Sequence, residues 1–109
     1  MNTHEFQDRN KQLPEPWYWY VNDLTMQLFR EISNDHILFT KTLKSIARRQ
    51  DNDDVLFEIE NDPFKCAVVH LTWSKVKQTD NRWPSTKLYK DWDDLYRNRI
   101  LVDKVAFEE

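Results

Sequence analysis

The 109-residue chain contains no glycine. Glycine is needed where a side chain would block the approach of the backbone to a phosphate, or where a turn requires positive φ. Its absence excludes the P-loop, the glycine-rich dinucleotide fingerprint, the nucleophile elbow and the EF-hand calcium loop. Turns must instead come from Asn, Asp and Pro, and Asn and Asp are the non-glycine residues that best tolerate positive φ.

Cysteine is almost as scarce, because Cys66 is the only one in the chain. An intramolecular disulfide is therefore impossible, and the Cys and His spacing of zinc sites is missing. The first residues, MNTHEFQDRNKQL, lack the apolar stretch of a signal peptide. No window approaches the roughly eighteen apolar residues of a membrane span. We expect a cytoplasmic protein that uses no cofactor or metal and does not contact a membrane.

The charge balance is mildly acidic, with 16 basic and 19 acidic residues and a net charge of −3. Neither half of the chain carries the basic excess that marks a nucleic-acid footprint. Nucleic acid is therefore an unfavoured partner, whereas a basic protein partner suits the charge.

The length and patterning predict one domain over residues 14–109, preceded by a flexible tail at 1–13. Proline in Pro14-Glu15-Pro16 can start a helix. Apolar residues then recur with a period of 3.6 residues, which predicts an N-terminal helix. The positions of this stripe are Trp17, Tyr20, Val21, Leu24, Leu28 and Ile32.

Short apolar runs alternate with Asn/Asp/Pro turns in the middle of the chain, which predicts an antiparallel meander. Residues 37–48 fit a helix or a strand, and we favour a strand over Leu43–Arg49. Further strands are expected at Val55–Glu60, Lys65–Trp73 and Lys87–Tyr89. Asp91 can cap a C-terminal helix. The predicted fold is α+β: a three- to four-stranded antiparallel meander with an N-terminal and a C-terminal helix packed on one face.

His70 and Cys66 are the candidates for catalysis. On the strand that contains both, their side chains share one face but lie roughly 13 Å apart, too far for proton transfer. A pairing of Cys66 with His36 across the fold stays open. His70 has two interpretations: a structural histidine bonded to a neighbouring strand or an Asp, or a general base at the edge of a pocket.

Two acidic runs are candidates for binding a cation or for stabilising the N-terminus of a helix. Asp51, Asp53 and Asp54 offer hard oxygen ligands, but Asp/Asn runs are also common in hairpin turns, and we favour the turn. The run that begins at Asp91 is better explained as favourable charge at a helix N-terminus.

Exposed aromatic residues are the main candidates for partner binding. In the stretch Trp17-Tyr18-Trp19-Tyr20, Tyr18 and Trp19 lie off the predicted core stripe and would expose their rings, unless the N-terminal tail covers them. Trp and Tyr dominate interface hot spots. Trp73-Ser74-Lys75-Val76-Lys77 and Arg82-Trp83 interleave aromatic and basic residues, a pattern that also occurs in single-strand binding proteins.

The motifs Asp53-Asp54-Val55-Leu56-Phe57, Val68-Val69-His70-Leu71-Thr72-Trp73 and Trp83-Pro84, followed by a final Asp103, resemble a group of small, uncharacterised bacterial proteins. The resemblance covers roughly residues 17–103, and no reaction is assigned to that group, so it implies no catalytic residues. In size and acidity the chain is similar to immunity proteins that neutralise toxins.

We therefore predict a non-enzymatic protein-binding module of immunity or regulatory type. Tyr18, Trp19 and Trp83 would supply contact area, and Asp53 and Asp54 would supply charge for a basic partner. The first alternative is a small hydrolase or nuclease that uses His70 with an acidic partner. The second is a single-stranded nucleic-acid binding protein.

Overall fold

The computed structural model describes residues 12–109, and these form an antiparallel sheet with helical segments on both faces. Its five strands lie side by side in chain order. The elements are β1 (Trp17–Trp19), α1 (Thr25–Glu31), β2 (Thr42–Arg49), β3 (Asp54–Glu60), β4 (Cys66–His70), β5 (Thr86–Tyr89), α2 (Trp92–Leu95), a π-helical turn (Tyr96–Ile100) and α3 (Leu101–Glu108).

The predicted meander is confirmed by strands β2 to β5. The ambiguous stretch is a strand, as favoured, and it pairs with β3 from Thr42 opposite Glu60 to Arg48 opposite Val55. A bulge between Ser45 and Ala47 shifts the register by one residue.

The prediction of a helix beginning at Trp17 is wrong. Trp17–Trp19 is an edge strand whose residues pair with Arg49, Arg48 and Ala47 of β2. Aromatic side chains favour extended backbone, and here they alternate, with Trp17 buried and Tyr18 exposed. Val21, a member of the predicted stripe, is 93% exposed. Only the later part of the stripe, around Leu28, is helical.

The helices pack on opposite faces of the sheet, not on one face as predicted. Alternate residues of β4 contribute to two separate cores: Cys66 and Val68 to one, Ala67 and Val69 to the other. Leu95 and Ile100 from the C-terminal segment pack in the first core, and Leu28 and Ile32 from α1 and its end pack in the second. A run that is apolar on both sides needs cover on both sides. The predicted three to four strands and shared face are therefore replaced by five strands between two helical layers.

The C-terminal segment is one continuous helix, because its backbone stays right-handed helical at both junctions of the π-helical turn. We call residues 92–108 the C-terminal helix. Its predicted cap is confirmed: the Asp91 carboxylate accepts the backbone N–H of Asp94 at 2.9 Å. The Asp94 carboxylate in turn accepts the N–H of Lys90 at 2.8 Å. These bonds fix the start of the helix beside β5.

Leu13, assigned by the sequence to the flexible tail, is buried in the first core with Trp17. The remainder of that predicted tail, residues 1–11, lies outside the described residues. Within the described range, none of the helices has the length and apolar character needed to cross a membrane.

Candidate functional site

Trp73 has the most unusual backbone of the exposed aromatic residues. The sequence placed it on the apolar face of a long strand, but β4 ends at His70 and Trp73 lies in the loop that follows. Its φ is 61° and its side chain is 42% exposed. The left-handed conformation costs a non-glycine residue about 1–2 kcal/mol. Such a conformation persists only where its surroundings impose it.

Glu31, at the end of α1, imposes that conformation. Its side chain is fully buried, and one carboxylate oxygen accepts the N–H of Trp73 at 2.9 Å and the amide of Gln27 at 2.7 Å. The other oxygen accepts the N–H of Thr72 at 2.9 Å and its hydroxyl at 2.7 Å. A buried carboxylate is tolerated when hydrogen bonds replace its water shell. Glu31 therefore anchors the loop to the helix.

A second contact ties the same loop to α1. The Lys77 ammonium donates to the carbonyls of Phe29 and Ile32 at 3.0 and 3.1 Å. These carbonyls lie at the C-terminal end of the helix, where a cation is favoured by the helix dipole. Residues 72–77 are thus bonded to α1 at both ends, through Glu31 at Thr72 and Trp73 and through Lys77 at the other end.

Trp73 lies beside a cluster of aromatic rings on β1 and after it. The Arg48 guanidinium carbon is 5.6 Å from the Trp73 ring centroid and 5.2 Å from that of Tyr20. Tyr20 in turn contacts Tyr18 edge to face at 6.1 Å. Hydrogen bonds from Asn22 and from Arg48 lower the pKa of Tyr20. We call Tyr18, Tyr20, Arg48 and Trp73 the aromatic surface.

The geometry of the aromatic surface suits molecular recognition more than chemistry. Its cation lies against two ring faces, an arrangement that stabilises a guanidinium in place. Tyr18 is 39% exposed, close to the exposure of Trp73. Large rings that are held rigidly and remain open to solvent are the usual anchors of protein interfaces.

Two of the three carboxylates of the acidic turn, those of Asp51 and Asp54, do not present free charge, contrary to what the sequence suggested. Asp54 is buried, and its carboxylate accepts from Arg99 at 2.5 Å and from His70 at 2.7 Å. Asp51 accepts two bonds of 2.8 Å from Arg49, which lower the pKa of that carboxyl. These carboxylates are therefore neutralised from within the fold.

Asp53, the other acidic anchor that the sequence predicted, is more open. Its side chain is 47% exposed, and one carboxylate oxygen lies 3.8 Å from an Arg48 nitrogen. That separation is an ion pair but exceeds a hydrogen bond. Asp53 thus borders the aromatic surface, whereas Asp54 lies beneath the C-terminal helix.

His70 has an acidic partner, as its functional interpretation required. His70 and Asp54 are directly opposite each other on β4 and β3. Because an ionised carboxylate only accepts, the Nδ1–H of His70 donates to Asp54, and Nε2 points away from that bond. The His70 side chain is 50% exposed. This is the arrangement of a general base, although the same pair is also a common cross-strand contact.

Asp54 belongs to a larger ion cluster, which we define as Arg49, Asp54, His70, Arg99 and Asp103. Asp103 accepts from Arg99 at 2.9 Å and lies 3.2 Å from an Arg49 nitrogen. The cluster also receives the Trp17 indole N–H, which donates to Asp103 at 2.8 Å. It joins the C-terminal helix to β1, β2, β3 and β4. These bonds hold the C-terminal helix against the sheet, which is a structural role.

His36 and Cys66 are both buried, and their contacts share no residue. The Nδ1 of His36 accepts the N–H of Leu38 at 3.0 Å, so Nε2 carries the proton and donates to the Pro84 carbonyl at 3.2 Å. Burial lowers the pKa of His36 and raises that of Cys66. A buried thiol with a raised pKa is a poor nucleophile. The structure therefore does not bring together the pairing that the sequence left open.

The other predicted aromatic anchors, Trp19 and Trp83, are not members of the aromatic surface. Trp19 is partly buried and stacks on Trp92 with ring centroids 6.3 Å apart. Its ring is thus core packing in the first core, where the sequence expected an exposed anchor. Trp83 is 50% exposed and follows a turn in which Arg82 is bonded to Asp80 at 2.6–3.1 Å.

Two of the basic groups near these rings, Lys77 and Arg82, are engaged within the fold. Arg82 is paired with Asp80, and Lys77 caps α1. A phosphate backbone would find fewer available cations than the sequence suggests. Within residues 12–109, no group of three His, Cys, Asp or Glu side chains converges to hold a metal ion.

A shallow recess of about 540 Å³ lies where Leu13 and Pro14 meet Lys104 and Phe107. Among the residues that the sequence singled out as site candidates, none lines it. The recess therefore adds no support to chemistry at His70.

Sequence reasoning did not assign four of the residues that build the aromatic surface to a protein-binding site: Tyr20, Glu31, Arg48 and Trp73. Their signals are weak in the chain. Glu31 reads as an ordinary helix residue, and Arg48 reads as a solvated strand end. The one usable hint is the Trp17–Tyr20 stretch, whose alternation as a strand sends Tyr18 to the surface. Comparison of the chain with known protein families, with curated proteins and with solved structures finds no match in any of them.

Proposed function

We propose that the protein is a non-enzymatic protein-binding module and that the aromatic surface is its binding site. The observation that carries the proposal is Trp73: an exposed indole in a left-handed conformation, fixed by the buried carboxylate of Glu31. Free energy is spent on holding this ring in the unbound protein. A ring that is ordered before binding loses less entropy on binding, so it adds more to affinity.

The proposed partner is a protein of regulatory or toxin type, in keeping with the small acidic chain. The paired carboxylates of Asp51 and Asp54 give no specific reason for a basic partner. Asp53 is the acidic group that borders the aromatic surface. We therefore place contact area on Tyr18 and Trp73, and assign charge only to Asp53 and Arg48.

Capture from bacterial lysate with quantitative mass spectrometry tests the proposal. The bait is tagged full-length protein, compared with its Trp73→Ala and Phe64→Ala variants. Phe64 is a matched control, because it is an exposed aromatic residue in the turn between β3 and β4. We expect a protein that the wild type and the Phe64 variant enrich equally and that the Trp73 variant enriches at least about tenfold less.

Equal enrichment by the Trp73 variant would show that the aromatic surface is not the binding site. The Trp83→Ala variant is run in parallel, since that ring was also predicted as an anchor. A loss confined to Trp83→Ala would move the site to the loop before β5. Melting temperatures of all variants confirm that each bait is folded.

A second candidate function, acid–base catalysis, is favoured by the bond between His70 and Asp54. The oriented imidazole could accept a proton from water or a hydroxyl group at Nε2. The competing pull of Arg99 on Asp54 weakens this interpretation, because it neutralises the carboxylate that would stabilise an imidazolium.

Hydrolysis of activated esters, of a phosphodiester and of RNA, measured with wild type and His70→Gln, tests this candidate. If His70 is catalytic, the wild type should hydrolyse one of these substrates at a rate that follows a bell-shaped pH profile. His70→Gln should abolish that rate. We expect instead equal background rates for the two proteins.

A further inference from the structure

His36 lies in the connection between α1 and β2, and both of its ring nitrogens are hydrogen-bonded in a buried place. The residue is 4% exposed. Nδ1 accepts the backbone N–H of Leu38, and the Nε2–H donates to the carbonyl of Pro84 with the Thr86 hydroxyl oxygen 3.3 Å away. One ring nitrogen therefore has to be an acceptor and the other a donor, so the neutral ring is the form that fits.

The protonated ring does not fit this place, because both nitrogens of an imidazolium are donors. Its Nδ1–H would point at the N–H of Leu38, and the hydrogen bond between them would become a contact between two donors. The positive charge would also be buried without a carboxylate of residues 12–109 within ion-pair distance. Burial accordingly lowers the pKa of His36.

The charged residues of the surrounding segments offer an imidazolium little compensation. These segments are α1, the α1–β2 connection (residues 32–41), the stretch between β4 and β5, and β5 itself, and their charged residues are Arg30, Glu31, Asp35, Lys41, Lys75, Lys77, Asp80, Arg82 and Lys87. Glu31 and Asp80 already accept hydrogen bonds from other groups. Asp35 favours the charged ring but is exposed to solvent, which weakens its effect. The remaining residues are cations, and these disfavour a further positive charge.

His36 ties the α1–β2 connection to residues 79–84, which we call the Trp83 loop. Among residues 12–109, the hydrogen bonds of the Trp83 loop are made within the loop, to the adjoining Thr86 and, across the fold, to His36 alone. The residues that flank the loop on either side are bonded to α1 and to β4. The loop is thus fixed at its two ends, and His36 supplies the one long-range hydrogen bond between them.

We propose that His36 is a pH-sensitive switch, whose neutral ring holds the Trp83 loop against the α1–β2 connection and whose protonation releases the loop while the sheet stays folded. An imidazolium regains its water by leaving the buried place, and the bond to Pro84 is lost with it. The strands pair independently of this contact, because neither His36 nor Pro84 belongs to a strand. Acid thereby changes how Trp83 is presented, at a position separate from the aromatic surface.

NMR of the isotope-labelled full-length protein, titrated from about pH 7.5 to about pH 4.5, tests the proposal. The amide of Leu38 and the indole of Trp83 should change with one midpoint, which coincides with the midpoint of the His36 ring carbons. Protection of the Leu38 amide against hydrogen exchange should fall by about tenfold for each pH unit between about 6.5 and the lower pKa of the folded protein. The amides of β3 and β4 should keep their protection over the same range.

His36→Asn should abolish the transition, because its side chain does not titrate here and still offers an acceptor to Leu38 and a donor to Pro84. His70→Gln is the matched control, since it removes another hydrogen-bonded histidine and should leave the transition intact. The wild-type titration decides the proposal even if His36→Asn fails to fold. No transition at Leu38 and Trp83, a midpoint that differs from that of the His36 ring, or a simultaneous loss of protection in β3 and β4 would each overturn the switch.

Discussion

Replacing Glu31 by Gln tests the physical basis of the aromatic surface. The substitution keeps the shape of the side chain but turns one carboxylate oxygen into a donor. In the wild-type protein, each carboxylate oxygen of Glu31 accepts one backbone N–H, one from Thr72 and the other from Trp73. Whichever side the new amide takes, one of these N–H groups loses its acceptor beside a side chain that is fully buried.

The expected cost follows from those bonds. A hydrogen bond to a charged group contributes about 1.5–3 kcal/mol, and an unsatisfied buried donor costs about 1–3 kcal/mol. We therefore expect the free energy of unfolding of Glu31→Gln to fall by about 2–4 kcal/mol. With a urea m-value of about 2 kcal/mol/M, typical of a small domain, the midpoint should drop by about 1–2 M.

Urea unfolding followed by far-UV circular dichroism measures this loss, with Glu60→Gln as the control. Glu60 is an exposed carboxylate at the end of β3, so its replacement should change the free energy by no more than about 0.5 kcal/mol. Hydrogen exchange adds a local readout, since the amides of Thr72 and Trp73 should lose protection in Glu31→Gln. A variant as stable as Glu60→Gln, with unchanged exchange at these amides, would refute the role assigned to Glu31.

Three further predictions concern buried groups. Burial lowers the pKa of His36, so between that pKa and the unfolded value of about 6.5 the unfolded chain binds the proton and the folded one does not. Urea midpoints should therefore be flat above this pH window and fall as the pH drops through it. His36→Asn, which keeps an acceptor for the N–H of Leu38, should lose that slope, whereas an unchanged slope would assign it to other groups. Cys66 should react with a thiol reagent at least about a hundredfold more slowly in native protein than in urea, because burial raises its pKa and shields it; comparable rates would mean that the thiol is accessible. Trp17→Phe should cost about 1.5–3 kcal/mol of unfolding free energy through the lost bond to Asp103; a chemical denaturation curve that overlays the wild-type one would remove that bond from the account.

Strand prediction worked where local pattern and tertiary packing agree. The alternation in β3 and the turn residues around it are sufficient to place that strand, and Asp91 is recognisable as a helix cap from its position alone. At Trp17 the two signals conflict. The helical spacing of the apolar residues is real, but pairing of Trp17–Trp19 with β2 outweighs it.

The amino-acid sequence predicts the distribution of the helices over two faces of the sheet only in part. Cys66, Val68 and their neighbours show that β4 is apolar on both sides, which indicates cover on both sides. His70 makes one side of the strand look polar, which favours helices on the other side alone. His70 lies at the end of β4, where the sheet meets solvent, so it does not describe the whole face.

The candidate site depended on contacts between residues far apart in the chain. Glu31 and Trp73 are bonded across 42 positions, and Asp54 and Arg99 across 45. No local pattern reports such pairs, because each member is unremarkable among its neighbours. Tyr18 could be predicted as exposed, whereas the burial of Trp19 depends on its stacking with Trp92.

The most direct test of the proposed function is an NMR titration, in which the captured partner is added to the isotope-labelled protein and chemical-shift changes show where it binds. We expect the largest changes at the Trp73 indole and at the backbone amides of Tyr18 and Arg48, with the resonances of Phe64 unmoved. Changes centred on His70, or confined to the C-terminal helix, with the Trp73 indole unaffected, would contradict the assignment of the aromatic surface as the binding site.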